Sequence, residues 1–134
     1  MELRGVEGLR ILNGNDPRAL FWELAAPYLA RGECDEGTVM GNACLRTKGE
    51  FVAMYWARGG GMVVKLDEPK VRAHLADGAG APFAPAGRVF REWLAVPETA
   101  HDLWPGILGE AVTLANVRLP QPRGRATAAR PRRP

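Results

Sequence analysis

Three short runs rich in strand-forming residues follow one another between residues 39 and 66, and short glycine-containing segments separate them. The runs are VMGNACLR (39–46), FVAMYWA (51–57) and MVVKL (62–66), and the segments between them contain TKGE and RGGG. Glycine adopts the positive φ that tight hairpin loops require, so runs joined in this way pair as antiparallel neighbours. The spacing therefore predicts a three-stranded antiparallel meander, and the fold must contain an antiparallel sheet.

A first helix is predicted before the meander. Asp16 followed by Pro17 is typical of a helix start, because the aspartate side chain caps free amides and proline fits the first turn. Gly32 is placed to end this helix. Pro27 is expected to kink or shorten it near Leu24, because proline removes an internal hydrogen bond. Apolar residues at helical spacing form one stripe: Leu20, Phe21, Leu24, Ala25 and Tyr28.

Two further helices are predicted after the meander. Asp67 is placed to cap a second helix, with Pro69 in its first turn and Gly78 at its end. A last helix is predicted over roughly residues 99–117, and Pro105 indicates that it begins near that position. Its apolar face comprises Leu103, Trp104, Ile107, Leu108, Ala111, Val112 and Ala115.

A glycine- and proline-rich loop, residues 79–87, leads from the second helix into a predicted fourth strand, residues 88–96. Pro82 and Pro85 are expected to keep this loop from pairing prematurely, and Pro97 ends the strand, because proline lacks the amide that a strand ladder needs. The elements predict an α+β fold in the order α-β-β-β-α-β-α, with helices packed on an antiparallel sheet of about four strands.

The chain of 134 residues is long enough for one domain and too short for two. The elements place that domain at residues 16–117, after a lead-in of residues 1–15. Residues 118–134 are rich in arginine and proline and are predicted to be a disordered tail. Six arginines and no acidic residue lie there, so the remainder has 12 basic and 15 acidic residues. These arginines are a candidate nucleic-acid contact, since guanidinium groups bind phosphate: Arg118, Arg123, Arg125, Arg130, Arg132 and Arg133.

Several kinds of chemistry are disfavoured by the residue types present. The chain contains no serine, which excludes acyl-serine hydrolysis. Cys34 and Cys44 are too few for a disulfide framework, and with His74 and His101 they lack the paired spacing of a zinc site. A Cys–His nucleophile pair has no local signature, and Cys44 is expected to be a small core residue. We therefore expect no catalytic residue, no metal and no cofactor.

Charged residues of the last two predicted strands form a candidate binding site. Lys65, Arg88 and Arg91 are a possible anion or partner site built across the sheet, and Glu92 is a further candidate for ligand or partner binding. The alternative is a structural one, in which Lys65 meets Arg88 or Glu92 as a cross-strand pair.

The tryptophans favour a second contact surface. Trp22, Trp56, Trp93 and Trp104 come from four different predicted elements, which is typical of a core or a dimer interface. A short four-stranded sheet leaves an edge and one face exposed, and such surfaces tend to be covered by a partner. We predict a homodimer with Trp56 and Trp93 as its contacts. No run is apolar enough for a membrane helix or a secretory signal, which favours a cytoplasmic protein.

With these motifs placed, residues 20–116 resemble the N-terminal domain of the TfoX/Sxy family of competence-regulator-like proteins. The resemblance rests on TVMGNACLRTKGEFVAM, on VVKLDEPKVRAHLADGAGAPFAPAGRVFREWLAVPE and on the closing helix. Val39-Met40-Gly41 stands where the family shows Met-Phe-Gly. The resemblance implies an α+β domain that is often dimeric and has no known enzymatic activity.

Three functions remain open at this stage. The first is a non-enzymatic regulatory or protein-interaction module of the TfoX N-terminal type. The second is a nucleic-acid-binding accessory protein that uses the basic tail. The third is a small-molecule enzyme, for which a deep pocket with a perturbed acid or base beside Lys65 or Cys44 would be expected.

Overall fold

An antiparallel sheet of six strands and three α-helices make up the part of the chain, residues 16–117, that the computed structural model describes. The fold class is α+β, as predicted, although the sheet has two more strands than expected. The predicted lead-in and tail lie outside the described residues. The elements are α1 Pro17–Ala30, β1 Asp35–Val39, β2 Asn42–Thr47, β3 Glu50–Trp56, β4 Gly61–Lys65, α2 Glu68–Ala76, β5 Ala81–Phe83, β6 Phe90–Pro97, a 3₁₀ helix Glu98–Leu103 and α3 Trp104–Val117.

Helix α1 begins where the sequence predicts. The Asp16 carboxylate accepts hydrogen bonds from the backbone amides of Arg18 (3.1 Å) and Ala19 (3.2 Å), so the cap is formed. The expectation that Pro27 shortens the helix near Leu24 is wrong, because α1 continues to Ala30. Pro27 deprives only one carbonyl of a donor, and that carbonyl belongs to Glu23, a residue exposed to solvent.

The predicted strand 39–46 is a hairpin rather than one strand. Strands β1 and β2 meet at a two-residue turn in which both Met40 (φ 51°) and Gly41 (φ 77°) have positive φ. Two successive positive φ values define the type I′ turn, whose twist matches that of paired strands. Methionine rarely adopts this conformation, and the turn was therefore not predicted. The hairpin predicted at TKGE is confirmed, with Lys48 and Gly49 at φ 54° and 84°.

Strand β5 overturns the prediction that all of residues 79–87 form a loop. Ala81–Phe83 pairs with β6 as the outermost strand of the order β1-β2-β3-β4-β6-β5. An edge strand has only one neighbour, so it tolerates a residue without an amide hydrogen.

Strand β6 begins at Phe90, two residues later than predicted, and Arg88 and Val89 precede it. Regular alternation along a strand of residues 88–96 would put Phe90 on the face of Leu94 and away from Trp93. In the structure Phe90 packs with Trp93, because the β5–β6 register shifts next to Phe83, which pairs with Phe90.

The second and third helices end and begin close to the predicted residues. Helix α2 ends before Gly78, whose amide donates to the Leu75 carbonyl (3.1 Å). Asp67 occupies the N-cap position, but its side chain makes no capping hydrogen bond, contrary to expectation. The 3₁₀ helix precedes α3, which begins at Trp104, one residue before Pro105.

Buried residues form two clusters, one on each face of the sheet. Every buried helical residue belongs to the first cluster, which includes Phe21, Leu94 and Trp104. The second cluster contains strand residues only, with Cys44, Met54 and Val63 completely buried at its centre and partly buried aromatic rings around them. Within residues 16–117 the helices therefore cover one face of the sheet, and the buried cluster on the other face consists of strand residues alone.

Candidate functional site

Five aromatic rings lie together on the face of the sheet to which no helix of residues 16–117 contributes a buried residue. Phe51 stacks on Trp93 with 4.1 Å between ring centroids, and Trp93 stacks on Phe83 at 5.4 Å. Trp56 and Phe90 meet Phe83 edge to face at 5.2 and 5.5 Å. We call these five residues the aromatic face. Offset and edge-to-face contacts of this kind stabilise a packed group of rings, which here shields Met54 and Val63.

Both tryptophans predicted as dimer contacts belong to the aromatic face. Trp56 and Trp93 are only partly buried, and each packs against Phe83. Phe83 itself was missed, because a proline precedes it and its strand has only three residues. Beside these rings the Arg58 guanidinium lies 5.7 Å from the Trp56 ring centroid, within the range of a cation–π contact.

The four charged residues predicted as a binding site do not line one common concavity. Lys65 lies opposite Trp93 in the sheet, and its Nζ atom is 3.5 Å from a Glu50 carboxylate oxygen. Lys65 lines a concavity of only about 20 Å³ beside α3, whereas Arg91 lines a groove of about 200 Å³ between α2 and β6.

The other two charged residues belong to neither of these concavities. Arg88 is exposed in the loop before β6. Glu92 is half-buried, and its carbonyl accepts a hydrogen bond from the Leu66 amide at 2.8 Å.

Two concavities lie between α2 and α3. One, of about 360 Å³, lies beside the start of α2 and the end of α3, and the other, of about 460 Å³, lies beside the opposite ends. Glu110 lines both of them. We call the two concavities together the α2–α3 groove. Its charged lining residues are Asp67, Lys70, His74, Asp77, Asp102 and Glu110.

A histidine–carboxylate contact crosses the middle of the α2–α3 groove. His74 Nε2 lies 2.9 Å from Glu110 Oε1, and the two side chains are 19% and 36% exposed. Nothing in the sequence identifies Glu110 as the partner of His74. The helical spacing of Glu110, Thr113 and Val117 places these residues on one side of α3, but it does not indicate which element that side faces.

Asp67, at one end of the groove, has an unusual environment. Its Oδ1 atom is buried and accepts no hydrogen bond from any residue between 16 and 117. Burying a carboxylate oxygen without a donor costs free energy.

The two cysteines lie in the core and are free thiols. Cys44 is completely buried, in agreement with the predicted core position, and Cys34 is 2% exposed. Burial raises the pKa of both thiols, because the interior disfavours the thiolate. Since the thiolate is the nucleophile, both cysteines are poorly suited to covalent chemistry.

Within residues 16–117, no group of three or more histidine, cysteine, aspartate or glutamate side chains is arranged to hold a metal ion. Each helix of that part of the chain is too short or too polar to cross a bilayer. The six arginines predicted to contact nucleic acid, from Arg118 to Arg133, lie outside the described residues.

Comparison with known proteins adds no relative to these observations. No family model, no curated protein and no solved structure matches the chain.

Proposed function

We propose that this chain is a non-enzymatic regulatory or protein-interaction module of the TfoX N-terminal type, and that the aromatic face is its binding surface. The observation that carries this proposal is the partly buried pair Trp56 and Trp93 on a face to which no helix of residues 16–117 contributes a buried residue. Aromatic residues supply much of the binding energy at protein interfaces, because each one removes a large apolar area from water.

The partner we propose for this face is a second copy of the chain. The sheet edges are poorly suited to pairing: β1 carries Asp35 and Glu36, and β5 has three residues with Pro82 among them. Charges, proline and short length all disfavour edge-to-edge association. Contact through the aromatic face therefore fits a homodimer better than extension of the sheet does.

The surroundings of Lys65 and Cys44, the two residues beside which an enzyme pocket would be expected, support the non-enzymatic part of the proposal. The concavity beside Lys65 holds about 20 Å³, far less than a small-molecule site requires. Cys44 is buried with a raised pKa. We place the module in the cytoplasm, since both cysteines are unpaired thiols.

Light scattering on the full chain tests the homodimer. We expect a mass of twice 14.6 kDa at high micromolar concentration. Trp56→Lys and Trp93→Lys should each shift the mass to the monomer value, because a charged side chain cannot be buried at the contact. Leu103→Lys is the matched control, since Leu103 is an exposed apolar residue (40%) beside α3. A monomer mass for the unmodified chain would reject the homodimer.

Activity screens test the non-enzymatic assignment separately. Broad hydrolase and transferase screens should find no turnover that depends on Cys44. Turnover that disappears in Cys44→Ala, while circular dichroism shows an intact fold, would contradict the assignment and favour the enzyme alternative.

A further inference from the structure

The lining of the α2–α3 groove is dominated by negative charge. Four carboxylates, those of Asp67, Asp77, Asp102 and Glu110, line it, together with Lys70 and His74. The described residues as a whole contain 13 acidic and 10 basic side chains. The groove thus concentrates the negative charge of a mildly acidic domain on one side, and it favours a positively charged occupant.

A positively charged segment of the chain begins directly after the end of α3, beside the groove. Val117, the last residue of α3, lines the groove and is 70% exposed. The next 17 residues, 118–134, contain six arginines and no acidic residue. At about 3.3 Å per residue they reach roughly 56 Å. Helix α3, with 14 residues, spans only about 21 Å. The segment is therefore long enough to return along the whole groove.

The carboxylates that line the groove suit arginine in particular. Asp67, whose Oδ1 has no donor within residues 16–117, lies at the same end of the groove as Val117. Guanidinium presents five N–H donors and pairs with carboxylates through two parallel hydrogen bonds. The apolar walls at Ile107 and Leu114 match the proline and alanine residues between the arginines.

We propose that the α2–α3 groove binds the chain's own arginine-rich segment, residues 118–134. The proposal goes beyond the interaction function assigned to the aromatic face, which lies on the opposite side of the sheet. Binding in this groove occupies the same arginines that would contact nucleic-acid phosphate. The domain therefore competes with polyanions for this segment.

Limited trypsin digestion of the full chain tests the proposal, because trypsin cleaves after Arg123 and Arg125 only when these residues are accessible. The groove variant is Asp67→Asn/Asp77→Asn/Asp102→Asn, which keeps Glu110 and its contact with His74. The control variant, Glu23→Gln/Asp35→Asn/Glu36→Gln, makes the same change in charge at exposed positions on α1 and β1. A free peptide of residues 118–134 gives the cleavage rate of an unprotected segment.

At low salt, the unmodified chain and the control variant should be cleaved after Arg123 and Arg125 about 5- to 30-fold more slowly than the groove variant, as expected from the loss of two or three ion pairs. In about 1 M salt, where screening extends over about 3 Å, the unmodified chain should be cleaved at the rate of the peptide. The salt comparison needs no variant, so it stands even if the groove variant unfolds.

Three outcomes would overturn the proposal. The first is cleavage of the unmodified chain at the peptide's rate in low salt. The second is equal cleavage of the groove and control variants. The third is protection that rises with protein concentration, which would assign the groove to the segment of a second copy.

Discussion

Phe83 contacts three of the four other rings of the aromatic face. It contacts Trp56, Phe90 and Trp93, and it is 3% exposed although it belongs to the outermost strand. A ring held by three others contributes through buried area and through its edge-to-face contacts.

We expect Phe83→Ala to lower the free energy of unfolding by about 3–5 kcal/mol, because it removes a buried ring and leaves a cavity among its neighbours. Urea denaturation measures this change. Val89→Ala, at an apolar position that is 56% exposed in the preceding loop, should change the free energy by less than about 0.5 kcal/mol. Equal effects of the two substitutions would show that Phe83 does not support this face.

The buried thiols predict the direction of a pH dependence. Because the pKa of Cys44 is raised in the folded chain, the unfolded thiol ionises at a lower pH than the folded one. The stabilising contribution is therefore complete below the ordinary thiol pKa, and it is lost as the pH rises through the folded value. Between about pH 7 and about pH 10, the free energy of unfolding should fall less in Cys44→Val than in the unmodified chain. The same slope in both chains would refute this assignment.

At the scale of elements, the sequence predicted correctly those features that depend only on residues close together in the chain. The cap at Asp16 and the turn at Lys48-Gly49 follow from residues adjacent in sequence, and both formed as expected. Strand β5 could not be predicted from its own residues. Pro82 is acceptable in a strand only at the edge of the sheet, and the sequence of β5 does not show that it lies at the edge. The same applies to His74 and Glu110, which are separated by 35 residues and meet only after α2 and α3 pack on the sheet. Predictions of position in the sheet and of contacts between helices need the tertiary arrangement.

The backbone conformation of Met40 in the β1–β2 turn predicts that a substitution at this position will stabilise the fold. Met40 has φ 51° and is 47% exposed, so its side chain adds little burial to offset the unfavourable backbone conformation. Asparagine adopts positive φ more readily, and Asn-Gly is a preferred type I′ pair. Met40→Asn should raise the free energy of unfolding by up to about 1 kcal/mol in urea denaturation.

A substitution of the adjacent Gly41 is the control, since it should change the stability in the opposite direction. Gly41→Ala places a Cβ at φ 77°, where no atom lies within 4 Å, so only backbone strain is added. This variant should be destabilised by about 1 kcal/mol. A destabilised Met40→Asn would show that the methionine side chain makes a stabilising contact.

At the scale of the whole molecule, the two sides of the sheet have different chemistry. The helical side has the α2–α3 groove with its carboxylates, and the other side has the aromatic face. An apolar contact on one side and an electrostatic contact on the other respond differently to salt, since screening weakens only the second. High salt should therefore release the arginine-rich segment and leave the dimer intact.

A dimer formed through the aromatic face should make the stability depend on protein concentration. A hundredfold rise in concentration should stabilise the dimer by about 2.7 kcal/mol, because association draws the equilibrium towards the folded state. Thermal unfolding followed by circular dichroism at two concentrations measures this effect. Trp56→Lys should unfold at the same temperature at both concentrations, and so should the unmodified chain if the contact does not exist.

The type I′ turns between β1, β2 and β3 also influence how fast different parts of the sheet form. Strands β1 to β4 are consecutive in the chain and are joined by short turns, so each pairing closes a small loop, and hairpins of this kind form in about 1–10 μs. Strand β6 pairs with β4 only after residues 66–89 have closed a much longer loop, at a higher cost in chain entropy. We expect the meander to form first during folding, with β6 joining later and completing the surface on which both tryptophans of the aromatic face lie.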